Sequence, residues 1–286
     1  MKNLSDINTI KEIMTRHGFN FSKSLGQNFI INPHICPRIA EEGGAGEGVC
    51  ALEIGAGVGV LTAELAKRAD KVVSIELDER LIPVLGETLE DFDNVTVINE
   101  DVLKADLQSI VKYNFGDKPF VVCANLPYYI TSPIIMLLLE SKLPCRSITV
   151  MVQKEAADRL CADVGSRNAG AVSVAVDYYA EAQKLFDVSR GSFMPSPNVD
   201  SAVIRLDIRE KPPVEVEDEK FFFRMVKACF AQRRKTASNS ISAGLGIPKD
   251  KVISAITDAG FDPNIRAEKL TMQELGILCN SLYKVK

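Results

Sequence analysis

Val49-Cys50-Ala51-Leu52-Glu53-Ile54-Gly55-Ala56-Gly57-Val58-Gly59 is the stretch on which the fold turns. An apolar run of strand length passes into three glycines at alternate positions, and Val60 to Ala69 then carries a helical pattern. A strand that turns on glycine into a helix opens a βαβ unit, with the turn at the carboxyl edge of the sheet where open α/β folds bind ligands. Outward from it, the runs Lys71 to Glu76, Asn94 to Asn99, Pro119 to Ala124 and Ser147 to Val152 alternate with helical stretches such as Asp78 to Leu89, itself interrupted by Pro83 and Gly86. That alternation predicts an open α/β fold around a mainly parallel sheet. After a helix near Lys154 to Asp163, the segments Ala171 to Ala180 and Ala202 to Ile208 read as strands of an antiparallel edge, joined by a loop with Phe193, Pro195 and Pro197. Arg209 to Glu219, with Pro212, Pro213 and five acidic residues, reads as a linker. Residues 1–209 are therefore expected to form one domain and 210–286 a small all-helical one.

Composition narrows the classes of function. At 286 residues and 46% hydrophobic, the chain can bury a substantial core. It has no run of about 18 uninterrupted apolar residues, so no membrane span is expected. Lys2, Asp6, Lys11, Glu12 and Arg16 break up the amino terminus, which lacks the apolar core of a secretion signal, and a cytoplasmic protein is expected. Seven scattered cysteines without a Cys-x-x-Cys pair point to reduced core residues. The two histidines, His17 and His34, both precede the first recognisable strand, so histidine-based hydrolysis and metal binding are not expected. A net charge of −4 argues against binding nucleic acid over the whole surface. A local patch is present instead: Phe221 to Lys249 contains Arg224, Lys227, Arg233, Arg234, Lys235 and Lys249 and no acidic residue.

Spacing decides what the glycine turn holds. In G-x-G-x-x-G the third glycine would fall at Val60 or Thr62, and neither register fits a dinucleotide site. Glu53 to Gly59 instead resembles the first motif of S-adenosylmethionine methyltransferases, whose cofactor has no pyrophosphate to seat. On that reading Gly55 and Gly57 allow close backbone approach. Glu76, about 20 residues on, accepts both ribose hydroxyls. Asp101, in Asn99-Glu100-Asp101-Val102, accepts from the adenine amine.

The fourth strand ends in Asn125-Leu126-Pro127-Tyr128. A planar amine such as N6 of adenine has its lone pair delocalised, and attack on a methyl group requires that pair to be localised. The Asn125 side-chain oxygen and a main-chain carbonyl of the turn can accept the two N–H groups, while Pro127 fixes the turn and removes a donor. Tyr128 can stack on the base. The amine can lose its proton after transfer, so alignment rather than a strong base carries the acceleration. A base in structured nucleic acid must leave its stack to enter such a pocket, and Phe193 is the candidate for its opposite face. By itself the turn admits RNA, DNA or a protein glutamine amide.

Taken together these stretches resemble the KsgA/Dim1 family of ribosomal RNA adenine dimethyltransferases, in its bacterial small-subunit (16S) branch, over nearly the full length. Lys23-Ser24-Leu25-Gly26-Gln27-Asn28-Phe29-Ile30 resembles the family's amino-terminal cofactor motif, which implies that Asn28 and Ile30 touch S-adenosylmethionine. Gln153-Lys154-Glu155, Phe193 to Pro197 with Ser201 to Val203, and Phe230 to Thr236 are similar to further family blocks. Ile30 stands where the family usually has Leu, and Asn32 where Asp is common. The resemblance implies a Rossmann-like methyltransferase fold with a small helical carboxyl-terminal domain. It also implies two methyl transfers to N6 of each of two adjacent adenosines, in a hairpin loop near the 3′ end of the rRNA of a partly assembled small subunit. Its helical domain would contact RNA, placing Arg224, Lys227, Arg233, Arg234 and Lys235 there. A monomer without a metal is expected. The alternatives are an Erm-type large-subunit rRNA methyltransferase, or a ribosome-assembly checkpoint factor whose main task is binding.

Overall fold

The computed structural model describes residues 4, 6–19, 27–232 and 234–286. Helix α1 (Ile7–Arg16) and the short strand β1 (Phe29–Ile30) lead to α2 (Ile35–Glu42) and then to the sheet-forming region. This contains β2 (Cys50–Ile54), α3 (Val60–Ala66), β3 (Val72–Glu76), α4 (Ile82–Thr88), β4 (Val95–Asn99), α5 (Leu107–Phe115), β5 (Phe120–Asn125), α6 (Thr131–Glu140) and β6 (Ser147–Gln153). Then come α7 (Lys154–Leu160), α8 (Ala171–Tyr179), β7 (Ala180–Val188), β8 (Phe193–Met194) and β9 (Ser201–Ile208). The remaining helices are α9 (Glu219–Ala231), α10 (Ala237–Leu245), α11 (Lys249–Asp258) and α12 (Met272–Tyr283). None of the helices among the described residues is long and apolar enough to cross a membrane.

A seven-stranded sheet has the order β4-β3-β2-β5-β6-β9-β7. The pairs β2–β3, β3–β4, β2–β5 and β5–β6 are parallel, and β9 runs antiparallel to β6. β2 and β3 are buried at every position, which is why they read as continuous apolar runs: helices cover both faces of a parallel sheet. From β2 the chain builds outward to β3 and β4, then returns to place β5 on the other side of β2. That reversal makes the carboxyl ends of β2 and β5 the switch point of the sheet, and it opens a crevice there. Pro83 does not break its helix. A short 3₁₀ turn (Glu79–Leu81) precedes α4, and Pro83 falls in the first turn of α4, where no N–H is needed.

The segment expected as a strand at Ala171 to Ala180 is a helix, and the edge strand is β7, which follows it. Ala171, Val174, Ala175 and Tyr178 recur at helical spacing, and the capping bond from Gly170 N–H to Ser173 Oγ (3.0 Å) starts the turn. Burial of Val174 and Tyr178 among Phe221, Phe222 and Met225 outweighs the strand preference of the valines and tyrosines. β7 is half exposed and carries Glu181, Lys184 and Asp187, charges that suit an outermost strand.

The chain divides into two compact units: the described residues of Met1–Ala157 with Gln183–Ile208, and Asp158–Ala182 with Arg209–Lys286. Sequence gives a single cut after residue 209, whereas packing also assigns 158–182 to the second unit. That unit is helical around its own apolar cluster. Asp218 caps α9 by accepting from Phe221 N–H (3.0 Å), and Thr271 and Glu274 form a reciprocal cap on α12. Cys36, Cys50, Cys123, Cys145, Cys229 and Cys279 are buried thiols, and burial pushes Cys123, Cys145, Cys229 and Cys279 up to about 12.

Candidate active site

An open cleft of ≈ 850 Å³ lies at the switch point, lined by Asn28, Gly55, Gly57, Glu76, Leu77, Asp101, Val102 and the whole Asn125 to Tyr128 turn. The glycine turn is shaped by left-handed backbone, with φ of 80° at Gly55, 58° at Gly57 and 88° at Gly59. These are conformations that side chains with a Cβ adopt only under strain. A Cβ at Gly57 would also meet the Phe29 ring at 3.1 Å. Glu76, at the end of β3, accepts from Gly57 N–H (2.9 Å) through Oε2 and from Asp78 N–H (2.8 Å) through Oε1. Burial raises its pKa above the usual carboxylate value, and the two backbone donors work against that rise. Each oxygen keeps a lone pair for a further donor.

Beneath the turn, Glu53 of β2 is 1% exposed and does not line the cleft. Its Oε2 accepts from Thr62 Oγ1 (2.6 Å) and Ser74 Oγ (2.7 Å), while Oε1 has no partner among the described residues. Burial pushes this carboxyl up to about 7. At the end of β4, Asp101 Oδ1 accepts from Leu103 N–H (3.0 Å) and shapes its own loop. Leu77, 48% exposed, and Val102 supply apolar surface in the cleft wall beside the two acids. Neither was anticipated, although each directly follows a predicted acidic residue.

The acceptor turn is fastened by bonds that no local pattern reveals. Asn125 Nδ2 donates to the Asn28 carbonyl (3.1 Å), which assigns the amide orientation and leaves Oδ1 as the acceptor. Leu126 N–H donates to the Met151 carbonyl of β6 (3.2 Å). The Pro127 carbonyl accepts from Ile130 N–H (3.2 Å) and Thr131 Oγ1 (3.2 Å). Tyr128 is half-buried, and its hydroxyl lies 2.6 Å from Ser201 Oγ. Tyr129, also in the cleft wall, is 57% exposed.

Two expected site residues lie outside the cleft wall. Ile30 and Phe193, each 3% exposed, face each other in the antiparallel β1–β8 ladder and belong to the apolar core. The ladder is continued by Ile31 N–H to the Ser192 carbonyl (2.9 Å) and Asn32 Nδ2 to Ser192 Oγ (3.3 Å). Through this ladder β8 braces the segment that carries Asn28. Neither histidine lines the cleft, and His17 contacts Glu87 (2.7 Å). Among the described residues no cluster of His, Cys, Asp or Glu could hold a metal ion. In the helical unit Arg224, Lys227, Arg234 and Lys235 are exposed, Arg224 and Lys227 one turn apart on α9. Arg233 and Lys23 to Gly26 lie outside the described residues.

The chain is similar to known proteins over nearly its whole length. The model of the ribosomal RNA adenine dimethylase family matches residues 18–282. The chain is 50% identical over 286 residues to the ribosomal RNA small subunit methyltransferase A of Bacillus mycoides (strain KBAB4), covering 99% of this chain and 98% of that protein. The same values hold for the protein of that name from Bacillus cereus (strain B4264). Among solved structures, the 23S rRNA methyltransferase ErmE is similar with a TM-score of 0.67 and 30% identity, over 90% of this chain and 100% of that one. A dimethyladenosine transferase from Plasmodium falciparum gives a TM-score of 0.73 at 25% identity, over 87% and 95%. A glycine turn, ordered strand-end acids and an acceptor turn at one switch point, matched over nearly the whole chain, mean that this protein belongs to the S-adenosylmethionine-dependent ribosomal RNA adenine dimethylase family.

Proposed function

We propose that the protein dimethylates N6 of two adjacent adenosines in the small-subunit (16S) rRNA of a partly assembled ribosomal subunit. The observation that carries this reading is the Asn125 amide, turned by the Asn28 carbonyl so that its oxygen is the acceptor in the cleft it shares with Glu76 and Asp101. The cleft fits S-adenosylmethionine in a specific respect: at Gly57 any Cβ would crowd Phe29, and the Glu76 carboxylate lies against that same backbone. Gly55, Gly57, Glu76, Asp101 and Asn28 would hold the cofactor, with Leu77 and Val102 against its adenine. When bound, it supplies an electrophilic methyl group on a sulfonium.

The remaining work falls to the chain's own groups. Asn125 Oδ1 accepts one N–H of the target amine. With the Pro127 carbonyl already engaged by Ile130 and Thr131, the Leu126 carbonyl is the turn's acceptor for the other. Two acceptors on one nitrogen pull its lone pair out of the ring and aim it, and holding it there supplies most of the acceleration. The Tyr128 ring stacks on the base. The proton leaves after transfer, so no basic side chain is required at the amine.

Asn125→Ala should reduce labelled methyl transfer to unmodified small subunits by at least about a thousandfold while cofactor affinity stays near that of the unaltered protein. An unchanged rate would remove the acceptor assignment. Mass spectrometry of nucleosides from both rRNAs, with and without the protein, separates this substrate from the large-subunit one. In the same reading the exposed Arg224, Lys227, Arg234 and Lys235, with Arg233, bind rRNA phosphates, and the protein acts as a cytoplasmic monomer. Lys227→Glu with Arg234→Glu should weaken subunit binding and lower the slope of log affinity against log salt by about 1 for each phosphate no longer neutralised. Equal slopes would exclude this docking face.

A further inference from the structure

Tyr128 has the same side chain as its neighbour Tyr129 and sits in the same 3₁₀ turn (Tyr128–Ile130), yet the two are held differently. Tyr129 is mostly exposed, and among the described residues nothing ties its hydroxyl. Tyr128 reaches a fully buried serine. Ser201 is the first residue of β9 and stands in register opposite Gln153, the last residue of β6. The preceding residue is pinned as well: the Asp200 carbonyl accepts from Lys154 N–H (3.0 Å), and its Oδ1 accepts from Arg190 N–H (3.0 Å). Ser201 Oγ is thus a fixed point of the sheet.

The acceptor turn grows out of β5 and is tied to the adjacent β6 by its main chain, through Leu126 N–H to the Met151 carbonyl. Its aromatic side chain passes on to the next strand, β9, through the Tyr128 hydroxyl at 2.6 Å from Ser201. A tyrosine ring anchored only at Cβ turns about two torsions; the hydroxyl lies on the axis of the second, so a bond there removes the freedom of the first and fixes where the ring lies. We propose that Ser201 is a positioning residue which fixes the place and direction of the Tyr128 ring beside the target base, so that β9 as well as β5 determines how the amine is presented. The inference rests on the reading of Tyr128 as the stacking surface.

The test compares Ser201→Ala, Ser201→Thr, Tyr128→Phe and the double variant Tyr128→Phe with Ser201→Ala. Single-turnover methyl transfer to unmodified small subunits is measured at saturating cofactor, with cofactor affinity in parallel. Ser201→Ala and Tyr128→Phe should each slow transfer by about tenfold, the double variant should be no slower than either, and Ser201→Thr should restore most of the rate. Cofactor affinity should not move. A full rate in Ser201→Ala, losses that multiply in the double variant, or a loss confined to cofactor affinity would overturn the assignment. If Ser201→Ala folds poorly, Tyr128→Phe leaves the buried strand intact and carries the test, a full rate again overturning it. Should the unaltered protein transfer no methyl to these subunits, the proposed function fails and this inference with it, whereas an active protein with an indifferent Ser201→Ala sinks only the role of Ser201.

Discussion

The two turns that meet at the switch point solve opposite problems. The turn at Gly55 to Gly59 lacks side chains at its three left-handed glycines, two of which line the cleft, and its Gly57 N–H reaches Glu76. The turn at Asn125 to Tyr128 works by fastening side chains to distant parts of the chain, Asn125 to residue 28 and Tyr128 to residue 201. In the proposed function, the first holds the cofactor with backbone and the second aims the target amine with tethered groups. Damage to the first should therefore appear as lost affinity, and damage to the second as lost rate.

The largest effect should come from Asn125→Asp. The variant keeps shape and one acceptor but sets a carboxylate oxygen against the Asn28 carbonyl where an N–H now donates. Repulsion there should cost the alignment, and transfer at saturating cofactor should fall by about a thousandfold. Isothermal titration should meanwhile show cofactor affinity within a few-fold of the starting value. A rate close to that of the unaltered protein would mean that the amide is not held by residue 28.

Gly57→Ala probes the other turn. Its Cβ must occupy a φ of 58° and approach the Phe29 ring at 3.1 Å. The expected result is a cofactor affinity weaker by about tenfold or more, with a much smaller change in rate once the cofactor saturates. The reverse pattern would break the division between the two turns.

The smallest effect concerns the foundation of the glycine turn. Glu53 has a folded pKa of about 7 against an ordinary value of 4.5. Below the lower value the carboxyl is neutral in both states, and above the upper one it is charged in both. Between them the folded chain keeps a proton that the unfolded chain has lost, so stability falls as pH rises through this window. Glu53→Gln should remove that part of the slope and raise Tm relative to the unaltered protein by several degrees above pH 7, with little difference near pH 4. Parallel Tm curves for the two proteins across this range would show that the buried acid is better compensated than its Oε1, without a partner among the described residues, implies.

What could be read in the sequence was what neighbouring residues determine. The strands β2 to β6 fall within a residue of their predicted runs, and in β2, β3, β5 and β6 burial on both faces imposes that pattern locally. The glycine turn, Glu76, Asp101 and Asn125 to Tyr128 follow from spacing along successive strands, and the structure brings all of them to one cleft. Partners remote in the chain were not legible. The bond that orients Asn125 spans 97 residues and the one that holds Tyr128 spans 73, and nothing around Asn28 or Ser201 announces either. The misread segment at Ala171 to Tyr179 has the same origin. Its valines and tyrosines favour a strand by propensity, and packing on the aromatic residues of α9 more than forty positions away, added to the local cap at Gly170, makes it a helix. The burial of Phe193 likewise depends on pairing with Ile30, far upstream.

On the proposed reading, the two carbonyl-type oxygens that hold the target nitrogen also govern how the site empties. An unmodified adenine brings two N–H donors to the Asn125 oxygen and the Leu126 carbonyl. Each transfer exchanges one of them for a methyl group, so the singly methylated base satisfies one acceptor and the finished base satisfies neither. An acceptor left facing a methyl group gives up its hydrogen bond without regaining water, at a cost of roughly 1–3 kcal/mol each time. The cleft then holds its substrate most tightly before the first turnover and its final product least tightly. Release after the second methyl group needs no separate signal, because completion of the reaction is what dissolves the grip.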